Sequence, residues 1–444
     1  MIGLALIIHA FILVLGLTVA YLDYKTRNNA KLTIFLGVNL IFIFIYAIVP
    51  IVMISNNFFI GRTDFYLVST IDKENESYVF ASIIILIGYL CLLLGYFFTK
   101  PYRKTYANVD FSISYLRIIG FILLLVSSIS TLYISSSLGG LLNSLNYINA
   151  LRAGDINVNS SFFLLLPLSI ASFLIYVSLQ LKKINVLSID FLFLFFAFLN
   201  SVYYVLLFGG RLPLALFLLI IPMFLMDKNS KFNIRNISII LFIGIILLNY
   251  LEGFFHYITG EDYVARGVFD NIPRLFAQFS FPYINTLKVH EFTYGRGEFR
   301  YFIDFIGWII NYIPKNLSSV IGLDQIKPSY VLNSENHLTR GIPTDIISFG
   351  YYQFALPGVI VVSFLFGGLV GWFDKLFNAV NQNYFIILAK VRVFQVLSFY
   401  PMYADIEAFM RRRIDVVVII IILILLSRKT LLRKKGIKNS KMDF

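Results

Sequence analysis

The chain has 444 residues, 59% of them hydrophobic and 14% charged, with a formal net charge of +13 and one cysteine, Cys91. A mean hydropathy of +0.80 excludes a soluble globular protein and points to an all-α polytopic membrane protein. The lone cysteine and four scattered histidines give no disulfide framework and no zinc motif, so no metal or other cofactor is expected.

Taken in chain order, about eleven apolar segments reach the length of about 20 residues that crosses a bilayer core. They lie near 3–22, 32–54, 79–98, 113–136, 161–181, 187–208, 212–226, 237–258, 346–372, 384–403 and 414–427. Met1–Leu22 lacks a basic leader and a small-residue cleavage site, so it reads as a retained first helix. The connectors alternate in charge, with nineteen basic residues on one set and seven on the other. Basic residues accumulate on the cytoplasmic side. The N-terminus is therefore expected outside, the basic tail 428–444 inside, and the long stretch 259–345 outside. The basic residues flank apolar segments, which argues against a nucleic-acid partner. The whole of 1–444 reads as one integral membrane domain with a large extracytoplasmic loop.

Two segments depart from the pattern. Segment 212–226 is short and follows its predecessor after only Gly209-Gly210-Arg211, which predicts a tight antiparallel hairpin. Segment 384–403 carries Lys390 and Arg392 near its middle. A charge at the bilayer centre costs about 2.5–3.5 kcal/mol on insertion scales, so these must face protein or sit near the interface. No internal repeat and no paired broken helices mark an inverted-repeat transporter.

The loop 259–345 holds eight cations and nine carboxylates, which leaves it almost neutral. Within it, 298–313 reads as an amphipathic helix lying flat on the membrane, ended by Pro314. Arg300, Asp304, Gly307 and Asn311 recur on one face, and Arg300 can pair with Asp304 at i,i+4. Such a helix suits a substrate whose tail is in lipid and whose headgroup is in water.

Several side chains admit a functional and a plain reading. Arg211, after two glycines and before Pro213, is either a fixed guanidinium for a phosphate or an interfacial arginine reaching for water. Arg274 and Arg340, each beside a turn and an apolar run, share that ambiguity. His337 is either a general base for a hydroxyl or a polar loop residue. Asp345, after Pro343, is either a helix N-cap or a base. Arg411-Arg412-Arg413 lies on the side where basic residues are scarce, so Arg411 contacts an anion or the tenth span is misplaced. His9 and His256 look like helix residues near membrane ends and receive no role.

The segment 341–358, GIPTDIISFGYYQFALPG, running into a span that ends in Asp374-Lys375-Leu376, resembles the O-antigen and capsular polysaccharide polymerases of bacteria, the Wzy-type oligosaccharide repeat-unit polymerases. Gly297-Glu298-Phe299-Arg300, Tyr312-Ile313-Pro314-Lys315 and Ile326-Lys327-Pro328 are similar to that family's loop, and Gly209-Gly210-Arg211 to its outer helix end. Tyr403-Ala404-Asp405 with Arg411 is a looser match. His337 is placed like the loop histidine of the related O-antigen ligases, in a different local sequence.

The resemblance implies a bundle similar to the GT-C class and a metal-independent glycosyltransferase at the outer face of a bacterial cytoplasmic membrane. A growing glycan on a polyprenyl diphosphate passes to the next lipid-linked repeat unit. Arg211, Arg274 and Arg340 would meet the diphosphate, Arg300 would guide the lipid-linked headgroup, Arg411 would contact an anion, and His337 or Asp345 would deprotonate the acceptor. Partners implied are the polyprenyl-diphosphate-linked oligosaccharide, membrane lipid, a chain-length regulator and a flippase. The alternatives are a flippase or transporter of the same lipid-linked oligosaccharide, and an O-antigen ligase.

Overall fold

The structure is a computed structural model describing residues 1–26, 32–60, 75–99, 112–148, 151, 161–182, 185–228, 234–259, 272–295, 299–310, 313, 343–379, 383–403 and 413–425. The described secondary structure is helical throughout, and eight of its helices are long and apolar enough to cross a membrane. The other predicted segments fall on the helix Ile234–Thr259, the shorter apolar helix Ile414–Leu425, and a broken pair described below. The chain divides into two compact units.

The first unit comprises Met1–Lys100, Val264–Asp374 and Phe394–Arg411. Its Ile2–Lys25 helix is 22% buried along its most apolar window, whereas Ile34–Ile60 is 72% buried, so the second helix is central. The first turn of a helix has orphan N–H groups, and here side chains fill them. Thr33 accepts from Leu36 N at 3.2 Å, while the Asp374 carboxylate accepts from Ile34 N at 2.8 Å and Phe35 N at 3.2 Å. Asp374, near the end of one helix, thus caps the start of another. Further along, Pro50 has no N–H to give the Tyr46 carbonyl one turn back. The helix widens into a π turn over Phe44–Ile48, and His9 Nδ1 takes that carbonyl at 2.8 Å. Backbones approach closely where Asn75–Phe98 meets the span after Pro357: a Cβ on Gly95 would collide with the Phe364 carbonyl, and one on Gly367 with that of Leu92.

The predicted outer loop also contributes to this unit's core. Helix Phe281–Gly295 is buried from Phe281 to Val289, Asn285, Thr286 and Lys288 included. Its mixed composition hid this in the sequence. Lys288 lies among packed side chains, and burial pushes its ammonium below the usual lysine range.

The second unit comprises Pro101–Tyr263, Lys375–Val393 and Arg412–Phe444. Ile113–Ser137, Leu168–Gln180 and Ile189–Tyr204 pack together, with Ser172 Oγ donating to the Gly120 carbonyl at 2.8 Å. Ser188 caps the last of these by accepting from Phe191 N at 3.2 Å. The predicted span 212–226 is instead two short helices, Arg211–Leu218 and Ile220–Lys228, interrupted at Leu219.

The helix Tyr384–Tyr403 accommodates its central charges inside protein, with 94% of its most apolar window buried. Lys390 Nζ donates to both oxygens of Asp227, at 3.1 and 2.9 Å, and Arg392 Nε donates to Asp415 Oδ2 at 2.8 Å. Two residues apart on a helix, the two cations leave on roughly opposite faces.

Candidate functional site

Hydropathy alone predicts one span over 346–372. The helix Ile346–Ala379 instead contains two non-helical residues, Phe354 (φ −161°, ψ 48°) and Ala355 (φ 50°, ψ −141°). They divide it into a short helix over 346–353 and a long apolar one after Pro357. The chain doubles back here, and Gly350 lies so close to Gly358 and Val359 that a Cβ on either glycine would strike backbone. The product is a short re-entrant helix leaning on the start of a span.

Asp345 caps the entry of this helix. Its Oδ1 accepts from Ile347 N at 3.0 Å, Ser348 N at 3.2 Å and the Tyr46 hydroxyl. Its Oδ2 accepts from Ser348 Oγ at 2.6 Å and Asn285 Nδ2 at 3.0 Å. All five of these partners are neutral donors, and the residue is fully buried. Burial raises the carboxyl above its ordinary range, while the bonds from Ser348, Tyr46 and Asn285 pull it back down. Such a donor set suits a carboxylate whose charge is met by dipoles and a helix N-terminus. Both oxygens are occupied.

The same network gives His9 a place that the sequence left blank. His9 bridges the Tyr46 carbonyl and Ser82 Oγ, the latter at 3.0 Å, and its ring meets Tyr283 edge-on at 5.2 Å. A buried histidine on an apolar helix gives no sequence signal of its partners, which come from helices far apart in the chain.

At the exit, the last carbonyls of a helix lack intrahelical partners. A strap supplies them: Arg300 N donates to Tyr352 O at 3.0 Å, Tyr301 N to Gln353 O at 2.9 Å, and Phe302 N to Gln353 Oε1 at 2.9 Å. Presenting successive amides this way forces Tyr301 and Phe302 into left-handed φ of 47° and 63°. With Ala355, these are the only non-glycine residues of positive φ among those described. Each such residue costs about 1–3 kcal/mol and persists where its surroundings over-determine it, commonly at functional sites. Here all three meet at one junction.

Side chains complete that junction. Arg300 grips Asp304 with two bonds of 2.7 Å, and Gln353 Nε2 donates to the same carboxylate. The predicted i,i+4 pair is therefore present, although the helix is shorter than 298–313, running from Ile303 to Ile310. Tyr301 (67% exposed) and Phe354 (45%) stand side by side with ring centroids 5.7 Å apart, and Ile303, Phe305 and Ile306 are also exposed. An apolar, aromatic surface thus sits beside a guanidinium that is fixed in place.

Of the expected site residues, Asp345 caps the entry of the short helix, and Arg300 meets the Tyr352 carbonyl at the opposite end. Arg211 lies in the second unit as the first residue of its helix, after Gly210 at φ 71°, a conformation that requires glycine in this turn. Arg274 lies in the helix Ile272–Gln278. His337, Arg340 and Arg411 lie outside the described residues. Two positions after Arg411, Arg413 is buried and donates to the Tyr204 hydroxyl at 3.2 Å.

Fold and composition together define a multi-pass helical membrane protein. No protein-family model, curated protein or solved structure matches the chain.

Proposed function

We propose that this protein extends a glycan carried on a polyprenyl diphosphate by block transfer to the next lipid-linked repeat unit, at the outer face of a bacterial cytoplasmic membrane. The observation that carries the reading is the junction at the exit of the re-entrant helix. Strained backbone, exposed aromatic rings and a fixed Arg300 coincide there, in the segments that resemble the polysaccharide polymerases. A substrate with a lipid tail, a diphosphate and a sugar needs an apolar surface, a cation and a polar rim in that order.

In the reaction, the bond from the sugar anomeric carbon to its phosphate oxygen breaks, and the electron pair leaves on the diphosphate. The acceptor hydroxyl oxygen forms the new bond as its proton passes to a base. Charge develops on the departing diphosphate, where positioned guanidinium groups lower the barrier most. Arg211, Arg274 and Arg340 are assigned to that task, Arg411 to anion contact, and Arg300 to guiding the headgroup. His337 is assigned as the base. Asp345, with both oxygens held by donors, is assigned to positioning the re-entrant helix instead. The bundle is proposed to be similar to the GT-C class, with 259–345 on the outer side, and a chain-length regulator and a flippase as attendant partners.

The test is deletion of the gene in its host, followed by electrophoresis of the surface and lipid-linked glycans. Loss of polymerase activity leaves single-unit glycans on the surface, restored to long chains by the parent protein but not by Arg211→Ala at equal membrane levels. Lipid-linked polymer held in the membrane would instead indicate a ligase. Repeat units trapped inside would indicate a flippase. Either result contradicts the proposal.

A further inference from the structure

The strap that closes the re-entrant helix has its polarity turned inside out. A helix on the water-facing surface of a protein buries its apolar side chains and exposes its charged ones. In Ile303–Ile310 the order is reversed. Asp304 is 2% exposed and Gly307 is buried, whereas Ile306 is 58% exposed and Ile303 and Phe305 are exposed beside it. The Asp304 carboxylate is met from within the protein, by two bonds from Arg300 and one from Gln353 Nε2. Helical spacing puts Asp304 and Gly307 on one polar face, and the structure turns that face away from the surface.

The backbone is arranged in the same sense. Bilayer hydrocarbon offers no hydrogen bonds, so irregular chain at that depth satisfies its polar groups within the protein. The strap is irregular at Tyr301 and Phe302, and it still bonds its amides internally. Those of Arg300, Tyr301 and Phe302 go to the end of the re-entrant helix, and those of Ile303 and Phe305 to the carbonyls of Arg300 and Phe302, at 2.9 and 3.1 Å. The first amides of a helix are ordinarily left to caps or water. The exposed face also leads on to a membrane span. Tyr301 stands against Phe354, and the exposed Leu356, Ile360 and Val361 follow it in the chain.

We propose that this strap is immersed in the bilayer, with the acyl chains of ordinary membrane lipid covering Tyr301, Ile303, Phe305 and Ile306. A partner protein would cover the face only while bound, whereas an inward carboxylate and bonded amides suit surroundings that are apolar at all times. The face is also continuous with side chains of a span, where lipid is the neighbour. The consequence is positional. The exit of the re-entrant helix and the Arg300 guanidinium then lie against lipid, so a molecule that meets them from this side comes through the membrane and must itself partition into it. This holds whether or not the protein lengthens glycans.

Spin labelling of the full chain in discs of palmitoyl-oleoyl phosphatidylcholine tests this. The discs hold no polyprenyl lipid, so bilayer acyl chains are the only lipid cover offered. Nitroxides are attached at Ile306→Cys and, separately, at Ile303→Cys, in a Cys91→Ala background. Leu365→Cys, exposed on the span after Pro357, and Leu187→Cys, exposed in the connector before Ile189–Tyr204, serve as lipid and water references. Collisions with oxygen, which concentrates in hydrocarbon, are compared with those of a water-soluble nickel chelate. The expected result is that oxygen dominates at 303 and 306 as it does at 365, and that the ratio inverts at 187. Thermal melts and gel filtration establish that each labelled protein is folded. A ratio at 303 and 306 that matches 187 puts the strap in water and overturns the proposal. Labels closed to both reagents show that protein covers the face, which overturns it as well. Glycan extension is measured separately, so either failure leaves the polymerase reading where it stood.

Discussion

Asp345 in the first unit and Asp227 in the second are both buried carboxylates, and they are held in opposite ways. Asp345 has five neutral donors and the start of a helix, with no cation among its described contacts. Asp227 faces Lys390 with both oxygens. Neutral donors spread the charge over a local turn and fix the direction of one short helix. An ion pair across two helices fixes their mutual position and sets a charge against a charge. The first arrangement shapes a site, whereas the second lets a helix with charges at its centre reside in a membrane at all.

Removing one member of each set separates these roles. Asp227→Ala takes from the buried Lys390 ammonium the carboxylate that it meets with both oxygens, and breaking a buried pair costs about 3–5 kcal/mol. Thermal unfolding in detergent should therefore shift down further for Asp227→Ala than for the loss of Asp345. The double variant Asp227→Leu, Lys390→Met should recover most of the loss, because two apolar side chains leave no charge behind. Equal stability of the single and double variants would show that the pair's geometry, not the remaining charge, dominates.

The corresponding change in the first unit is smaller and more local. Asp345→Ala removes a cap worth about 1 kcal/mol and takes one acceptor each from Tyr46, Ser348 and Asn285, for a loss of about 2–4 kcal/mol together. Hydrogen exchange should rise in 346–353 before it rises elsewhere. Protection unchanged in that segment would mean that the strap at Arg300–Phe302, and not Asp345, holds the re-entrant helix.

How much of this could be read from residues alone follows from the range of each interaction. The apolar segments were legible because hydropathy is a property of contiguous residues. The Arg300–Asp304 pair was named from helical spacing, yet Arg300 lies ahead of the helix that starts at Ile303, and the left-handed turn at Tyr301 and Phe302 brings the two side chains together. Lys390 and Arg392 announced that they needed partners, but not that Asp227 and Asp415 would supply them, 163 and 23 residues away. The break at Phe354–Ala355 is invisible to hydropathy, because both residues are apolar and Pro357 allows a helix to begin as readily as to bend. Burial of Phe281–Val289 was missed because Asn285, Thr286 and Lys288 make the helix look like loop. Asp345 was balanced between cap and base in the sequence, and five donors from three parts of the chain show it as a cap.

Glycan extension itself can be observed by giving the purified, bilayer-reconstituted protein a single species of polyprenyl-diphosphate-linked repeat unit and resolving the products by size. A polymerase yields a ladder of lipid-linked glycans two or more units long, with polyprenyl diphosphate released in step, and no ladder from Arg211→Ala. Repeat units that cross the bilayer unlengthened, or that remain single when the protein is fully folded, would contradict it.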